Sequence, residues 1–354
     1  MTRTISVAMA TYNGARYLPE QLDSLAAQTC RPLELVVSDD GSTDATMEIV
    51  EAFAERAPFP VQLERNRRRL GFADNFLCAA QRCRGEWIAF CDQDDVWLPH
   101  RLADATQAIG TGDEDLMMVV QAAELADRAL EPLGRRLPDI PRRRIRARNS
   151  HYGFWVRPGF SLTVRARMLH ELSWSAQPPN YFPGYVRQSH DKWCCMLANA
   201  LGNVVYLPET AAVFRRHEAA ATGLYGRRGV RGSVDCALKT GQAHYAFLST
   251  VASESAACLR RLSEESPDPV WSARLKEGAA LFDRLSDVQT ERAALYSSQS
   301  TAARLRHLSR LLRRGGYFGH PFVRMPLRGL AKDLVICVMR PWVHAGAPGS
   351  LEPR

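Results

Sequence analysis

Short apolar runs that stop at a cluster of polar residues, and then give way to a stretch of helical period, limit most strongly how this chain can fold. Residues 5–10 (ISVAMA) run into Thr11-Tyr12-Asn13-Gly14, residues 33–38 into Asp39-Asp40-Gly41, and residues 87–91 (WIAFC) into Asp92-Gln93-Asp94-Asp95. Further strands are expected at 61–65 and 117–125. Helices are predicted from Pro19 to Gln28, with Leu18, Leu22 and Leu25 on one face, and over 74–84. Another should run from a cap at Ser42 or Thr43 through Arg56, with Met47, Val50 and Phe53 at helical spacing. Strands alternating with helices of this length imply βαβ crossovers and a mainly parallel sheet covered by helices on both faces. Ligands of such sheets bind beyond the carboxyl ends of the strands, so the three polar clusters are expected to line one crevice.

A chain of 354 residues, 46% hydrophobic and 24% charged, can bury the core of one large α/β domain with additions, or of two modest domains. No apolar run reaches the roughly 18 residues of a membrane span. The segment MTRTISVAMATYNG has one basic residue and breaks off too early for a signal peptide, which points to the cytoplasm. The nine cysteines include no C-x-x-C pair and read as buried, reduced thiols rather than a zinc site or a disulfide framework. Arginines concentrate at 65–69, 135–148, 227–231 and 304–328 within a net charge of +8. Such clusters suit phosphates, or simply coat a basic surface.

Carboxylates at alternate positions leaving a strand point to the same side, so Asp92 and Asp94 could share one hard cation, magnesium or manganese. On its own this spacing says little, because acids at strand ends also make turns and helix caps. Four stretches in order say more: ISVAMATYNGARYLPEQLDSLAAQT, LELVVSDDGSTDAT, NRRRLGFADNF and WIAFCDQDDVWLPHRL. Over about residues 4–105 they resemble the N-terminal half of inverting family 2 glycosyltransferases with the GT-A fold. A looser likeness over 159–222 is to the acceptor half of the rhamnosyltransferase-like branch.

That resemblance implies a GT-A domain over 1–230, with a nucleotide-sugar-binding half (1–130) and an acceptor half (131–230). A helical region over 231–340 and a disordered tail over 341–354 complete the expected organisation. It implies a nucleotide-diphosphate sugar donor, plausibly carrying rhamnose or a related hexose, and a glycan or lipid-linked acceptor. A divalent cation, Mn2+ or Mg2+, would sit on Asp94 first, with Asp92 as partner or ribose contact and His217 completing its shell. Asp95 would support the loop. Donor contacts would come from Thr11, Tyr12, Asn13, Asp39, Asp40, Arg69 and Asn75, with Asp39 rather than Asp40 on the pyrimidine and the alternative for either acid a strand-to-helix turn.

Asp191 is the expected general base, or else the cap of its helix; His190-Asp191 stands where Glu-Asp is more widespread. Glu218-Ala219-Ala220-Ala221 departs from the branch just after His217. The Arg- and Leu-rich stretch beyond residue 304 suits either an amphipathic surface on anionic lipid, with the protein peripheral on the inner face of the cell membrane, or a helix packed on its own domain. A nucleotidyltransferase would need a Gly-rich phosphate loop near the N-terminus, which is lacking. A nucleic-acid binder is suggested only by the arginines and opposed by the strand-end acids, so nucleic acid is not an expected partner.

Overall fold

The computed structural model describes residues 3–110, 113–180, 187–217 and 241–339. The Glu218–Ala221 segment, the basic cluster at 227–231 and the tail at 341–354 lie outside the described residues. The chain forms two compact units, one built on 1–148, 155–175 and 189–225, the other on 149–154, 176–188 and 226–354.

The first unit is a ten-stranded sheet. Its strands are β1 (Ile5–Thr11), β2 (Glu34–Asp39), β3 (Val61–Arg65), β4 (Trp87–Asp92), β5 (Val96–Trp97), β6 (Leu116–Ala126), β7 (Pro132–Leu137), β8 (Arg144–Arg146), β9 (Leu162–Arg165) and β10 (Asn203–Arg215). They lie in the order β3-β2-β1-β4-β9-β6-β10-β5, with β7 on β6 and β8 on β10. The expectation of a mainly parallel sheet holds only for one half. β3, β2, β1 and β4 are parallel, as are β6 and β10, but β9 enters antiparallel between β4 and β6, and β5, β7 and β8 pair antiparallel. The sheet is therefore mixed, because β9 returns from a long excursion rather than from a crossover helix.

Helices cover both faces. Ile5, Val7 and Met9 of β1, Leu35 and Val37 of β2 and Ala89 and Cys91 of β4 point to one side. They meet Leu18, Leu22 and Leu25 of α1 (Leu18–Ala26), Val50 and Phe53 of α2 (Thr46–Arg56) and Leu102 and Ala105 of α4 (Arg101–Ile109). On the other face Phe90 meets Phe76 of α3 (Phe72–Arg82) edge to face at 5.9 Å, next to α5 (Arg167–Glu171) and α6 (His190–Leu201). Helix α2 starts later than expected, at Thr46 after Ala45, with no side-chain cap. Ser42 is occupied otherwise: its hydroxyl donates to Asp39 and accepts from the Asn13 N–H.

Glu34 is buried in the middle of this sheet and is satisfied from all sides. Its carboxylate accepts from Ser6 Oγ (2.8 Å), the Arg84 backbone N–H (2.6 Å) and Nε (2.8 Å), and Gln62 Nε2 (2.8 Å). Burial alone would raise its pKa, yet the hydrogen bonds and the charge from Arg84 and Ser6 hold it below 4.5.

The second unit contains α7 (Gln242–Glu265), α8 (Pro269–Ser297), α9 (Thr301–Arg313) and α10 (Leu327–Met339), and it meets the expectation of a helical C-terminal region. Helix α8 begins as its sequence requires, with Pro269 in the first turn and Asp268 accepting from the N–H groups of Val270 (2.8 Å) and Trp271 (3.2 Å). Residues 149–154, assigned by sequence to the acceptor half, join this unit because Tyr152 OH accepts from Gln289 Nε2 (3.0 Å) and Gly153 N–H donates to the Phe322 carbonyl (2.8 Å). The eight described cysteines are all free thiols and six are buried, as the spacing implied.

Replacing Glu34 by Gln should lower unfolding stability at pH 7 by about 1 kcal/mol, the scale of a hydrogen bond lost to one carboxylate oxygen, since its charged partner Arg84 is 66% exposed and screened by water. The wild-type advantage is full above the unfolded pKa and disappears as pH falls through the lower folded value. Urea titrations at pH 7 and pH 3 should therefore show a difference of this size between the two proteins at the first pH and a smaller one at the second.

Candidate active site

Strand register brings the three polar clusters together. Thr11 at the end of β1 lies beside Asp39 of β2, and Ala10 lies beside Asp92 of β4. Beyond these strand ends opens a cleft of about 1310 Å³, lined among others by Thr11, Tyr12, Asn13, Asp40, Arg69, Asn75, Asp92, Asp94 and His217. The sequence-derived site residues thus converge, with Asp39 and Asp191 outside the lining.

Asp39 is fully buried, and four donors occupy its oxygens, three from its own turn, Gly41 N–H (3.0 Å), Ser42 N–H (2.8 Å) and Ser42 Oγ (2.5 Å), and Thr11 Oγ1 (2.9 Å) of β1. Asp40 is the acid that borders the cleft, and it accepts from the N–H groups of Leu70 (2.6 Å) and Gly71 (2.8 Å). Asp40, rather than the expected Asp39, therefore borders the cleft, while Asp39 is held in the strand-to-helix turn. Asn13 and Asn75 are bracing residues here: Asn13 Oδ1 accepts from Thr43 N–H (2.8 Å), while Asn75 bridges the Thr11 carbonyl (3.2 Å) and Asn66 Nδ2 (2.8 Å).

Tyr12 stands at the mouth, 36% exposed, with the Arg69 guanidinium 4.0 Å from its ring centroid. Its backbone is held by Gln93, whose amide accepts from Tyr12 N–H (3.0 Å) and donates to the Tyr12 carbonyl (3.1 Å). Two residues on, a Cβ on Gly14 would fall 2.2 Å from Gln93 Oε1, so any larger residue there would displace this amide. The clamp by the middle residue of Asp92-Gln93-Asp94 was invisible in the sequence.

At the floor, Asp94 Oδ2 lies 2.7 Å from His217 Nε2, and the imidazole is seated against the Tyr17 ring at 4.7 Å between centroids. Asp92 is pushed up to about 8 by burial, then by the charges of Asp94 and Asp191. Asp95 is fully buried and raised well above the usual carboxylate range by burial, then by the charges of Asp94 and Asp92; it accepts from the Arg215 N–H (3.0 Å). Below them Arg101 is buried over the Trp97 ring at 3.8 Å, its own pKa lowered to about 10 by burial. No three His, Cys, Asp or Glu side chains among the described residues already close on one point. The donor set nevertheless fits a divalent cation, since carboxylates crowded enough to repel one another stand next to an imidazole nitrogen, the chemistry that magnesium or manganese satisfies.

Arg215, which sequence reasoning passed over, organises this floor. Its Nε donates to the Asp94 carbonyl (2.9 Å), one terminal nitrogen to the Arg128 carbonyl (2.9 Å) and the other to Glu20, and the guanidinium lies 4.7 Å from the Tyr17 centroid. The paired arginines before His217 at the end of an apolar strand were the only available signal.

Asp191 sits in the first turn of α6, where Ser189 rather than Asp191 holds the cap position. Its carboxylate accepts from Ser189 Oγ and the Lys192 N–H (2.8 Å). It does not line the cleft, but its charge reaches Asp92. His190 packs against Phe76 (4.1 Å) and Phe90 (4.8 Å), and burial lowers its pKa to about 4.

A half-parallel sheet carrying an acid-lined crevice at its strand ends is the GT-A architecture. Over 90% of its own length and 90% of the other chain, the protein matches Staphylococcus aureus TarS 1–349 in complex with UDP-GlcNAc, with a TM-score of 0.53 and 20% identity. Residues 6–172 match the model of glycosyl transferase family 2. An uncharacterized glycosyltransferase of Nostoc is 38% identical over 111 residues, 31% of this chain and 34% of the relative. An uncharacterized protein of Mycobacterium bovis is 29% identical over 221 residues, 60% of this chain and 59% of the relative. The poly(ribitol-phosphate) beta-N-acetylglucosaminyltransferase TarS of S. aureus is 37% identical over 117 residues, 32% of this chain and 20% of the relative. The chain thus spans from about a third to under two thirds of the length of the first two of these relatives.

Asp39→Asn would set an amide NH2 against two of the four donors, and is expected to cost about 2 kcal/mol of stability. Asp40→Asn keeps an acceptor toward the Leu70 N–H, sets its amide against the Gly71 N–H alone and is expected to cost less. Chemical denaturation of the two variants side by side checks this order.

Proposed function

We propose that the protein is an inverting glycosyltransferase that moves a sugar from a nucleotide-diphosphate donor to a hydroxyl of a glycan or lipid-linked acceptor, at the cytoplasmic side of a membrane. The observation that carries the reading is the Asp94–His217 pair with Asp92, set in one cleft with the Tyr12–Arg69 pair, inside a family 2 domain.

In this reading Tyr12 offers an aromatic surface to the base of the donor, with Asp40 and Asn13 at the same edge. Arg69 is placed to meet the diphosphate with a fixed fork of donors. Asp94 and His217 would hold a divalent cation, with Asp92 as the third donor. When bound, that ion neutralises the charge gained by the leaving diphosphate. Arg215 and Asp95 keep Asp94 and His217 in register by tying the β4 turn to the tip of β10. Asp191 takes the proton of the acceptor hydroxyl as that oxygen attacks the anomeric carbon from the side opposite the diphosphate. The two sugars to try first are N-acetylglucosamine, from the name of the S. aureus relative, and rhamnose, from the motif resemblance.

A panel of nucleotide sugars assayed for donor turnover with and without Mn2+ tests the reading. One donor should be turned over in a metal-dependent way, and Asp94→Ala should reduce kcat/KM about 100-fold, the scale of losing a Lewis acid from a transition state. An Asp94→Ala enzyme with wild-type turnover would remove the metal role. Asp191→Asn should cut transfer by roughly 1,000-fold, within the usual range for a general base, while leaving the donor Kd within about twofold. Normal transfer by this variant would take Asp191 out of the mechanism.

A further inference from the structure

Helix α10 turns an apolar stripe toward solvent. Leu327, Ala331, Leu334, Val335 and Val338 fall at i, i+4, i+7, i+8 and i+11, one face of an α-helix, and all are exposed, Leu327 to 63% and Val338 to 71%. This orientation is imposed by the other face. Asp333 there is fully buried and accepts two hydrogen bonds from Arg292 (2.7 and 3.0 Å), one from Tyr296 (2.8 Å) and one from Tyr317, and Ile336 and Cys337 are buried beside it. Rolling the stripe inward would strip a buried carboxylate of its partners, so the helix is locked with its leucines and valines outward.

Positive charge surrounds the stripe. Between residues 301 and 339 the only acid is Asp333, whereas Arg306, Arg313, Arg324 and Arg328 are exposed and have no acidic partner among the described residues. Phe318, 65% exposed, and Leu305 and Leu312 of α9 add apolar surface within the same segment. A surface that is apolar along one helix face and bordered by unpaired arginines matches the interface of an anionic bilayer. A second copy of this chain fits less well, because a symmetric contact would bring the same arginines face to face. The helix, 13 residues and therefore about 20 Å long, is too short to cross a hydrocarbon layer of roughly 30 Å. It can only lie in the interface plane, and none of the described helices is long and apolar enough to span a membrane.

We propose that the solvent face of α9 and α10 is a docking surface for anionic lipid, with α10 lying flat in the headgroup layer and the arginines on lipid phosphates. This gives the membrane location of the transfer reading a physical basis, yet it stands on residues that take no part in the donor site. The test is co-sedimentation of the full chain with phosphatidylglycerol vesicles and with pure phosphatidylcholine vesicles. Binding is expected to the first and not the second, and to weaken with added salt. Leu334→Ser with Val338→Ser, and separately Arg324→Gln with Arg328→Gln, should each lower the bound fraction at least fivefold, with unchanged circular dichroism and donor turnover. Should the serine pair perturb folding, the glutamine pair, which touches no buried side chain, decides. The proposal is overturned by absence of binding to phosphatidylglycerol, by wild-type binding of the glutamine pair, or by a dimer that these substitutions dissociate while vesicles remain free of protein. Donor turnover is read separately, so loss of vesicle binding with intact turnover distinguishes this surface from the transfer site.

Discussion

The buried guanidinium of Arg215 is the interaction on which the candidate site depends. β10 follows β6 in parallel and pairs with β5 just beyond the turn that carries Asp94 and Asp95, but it has no main-chain pairing to β4 before that turn. Arg215 closes this gap, because its backbone N–H reaches Asp95 and its side chain reaches the Asp94 carbonyl, the Arg128 carbonyl and Glu20. Three segments distant in sequence are thereby fixed around one side chain, and His217, two residues further on, is delivered to Asp94. A guanidinium suits the task since its five donors lie in a rigid plane and it keeps its charge when buried.

The crowding of carboxylates follows from this arrangement. Asp92, Asp94, Asp95 and Asp191 come within reach of one another's charge, and only Arg101 from below opposes them at Asp92. A folded chain carries such repulsion at some cost to stability, and a bound cation would relieve it. The second unit handles its buried charge differently: Asp333 is matched there by Arg292 and two tyrosine hydroxyls, so no ligand is needed and the result is a fixed helix face. The buried acids at the strand ends are thus left unneutralised, whereas Asp333 is saturated.

Much of the architecture was legible along the chain. The parallel strands β1 to β4 and the helices between them appear where apolar runs and helical spacing placed them, because a strand buried on both faces and an amphipathic helix each leave a local signature. The short antiparallel strands β5, β8 and β9 left none, being two, three and four residues long and defined by their partners. That is why the sheet is mixed. Of the residues lining the cleft, Asp92 and Asp94 were expected from residue type and position, and Tyr12 and His217 from the motif resemblance. The placing of Asp40 rather than Asp39 at the cleft, the bracing roles of Asn13 and Asn75, and the clamps by Gln93 and Arg215 were not, since hydrogen-bond partners some 30 to 120 residues away leave no trace in a local pattern.

By itself the sequence determined the alternation of strands and helices, the convergence of polar clusters at the carboxyl ends of parallel strands, and the ordered motifs by which residues 6–172 match glycosyl transferase family 2. These rest on local periodicity and on ordered motifs, both of which survive in one dimension. Tertiary structure alone decided which carboxylate of each pair faces the cleft, which faces of α10 meet protein and solvent, and which arginine is buried. Each of those outcomes turns on desolvation and on the partners supplied by remote segments, and both come into being only when the chain has closed on itself.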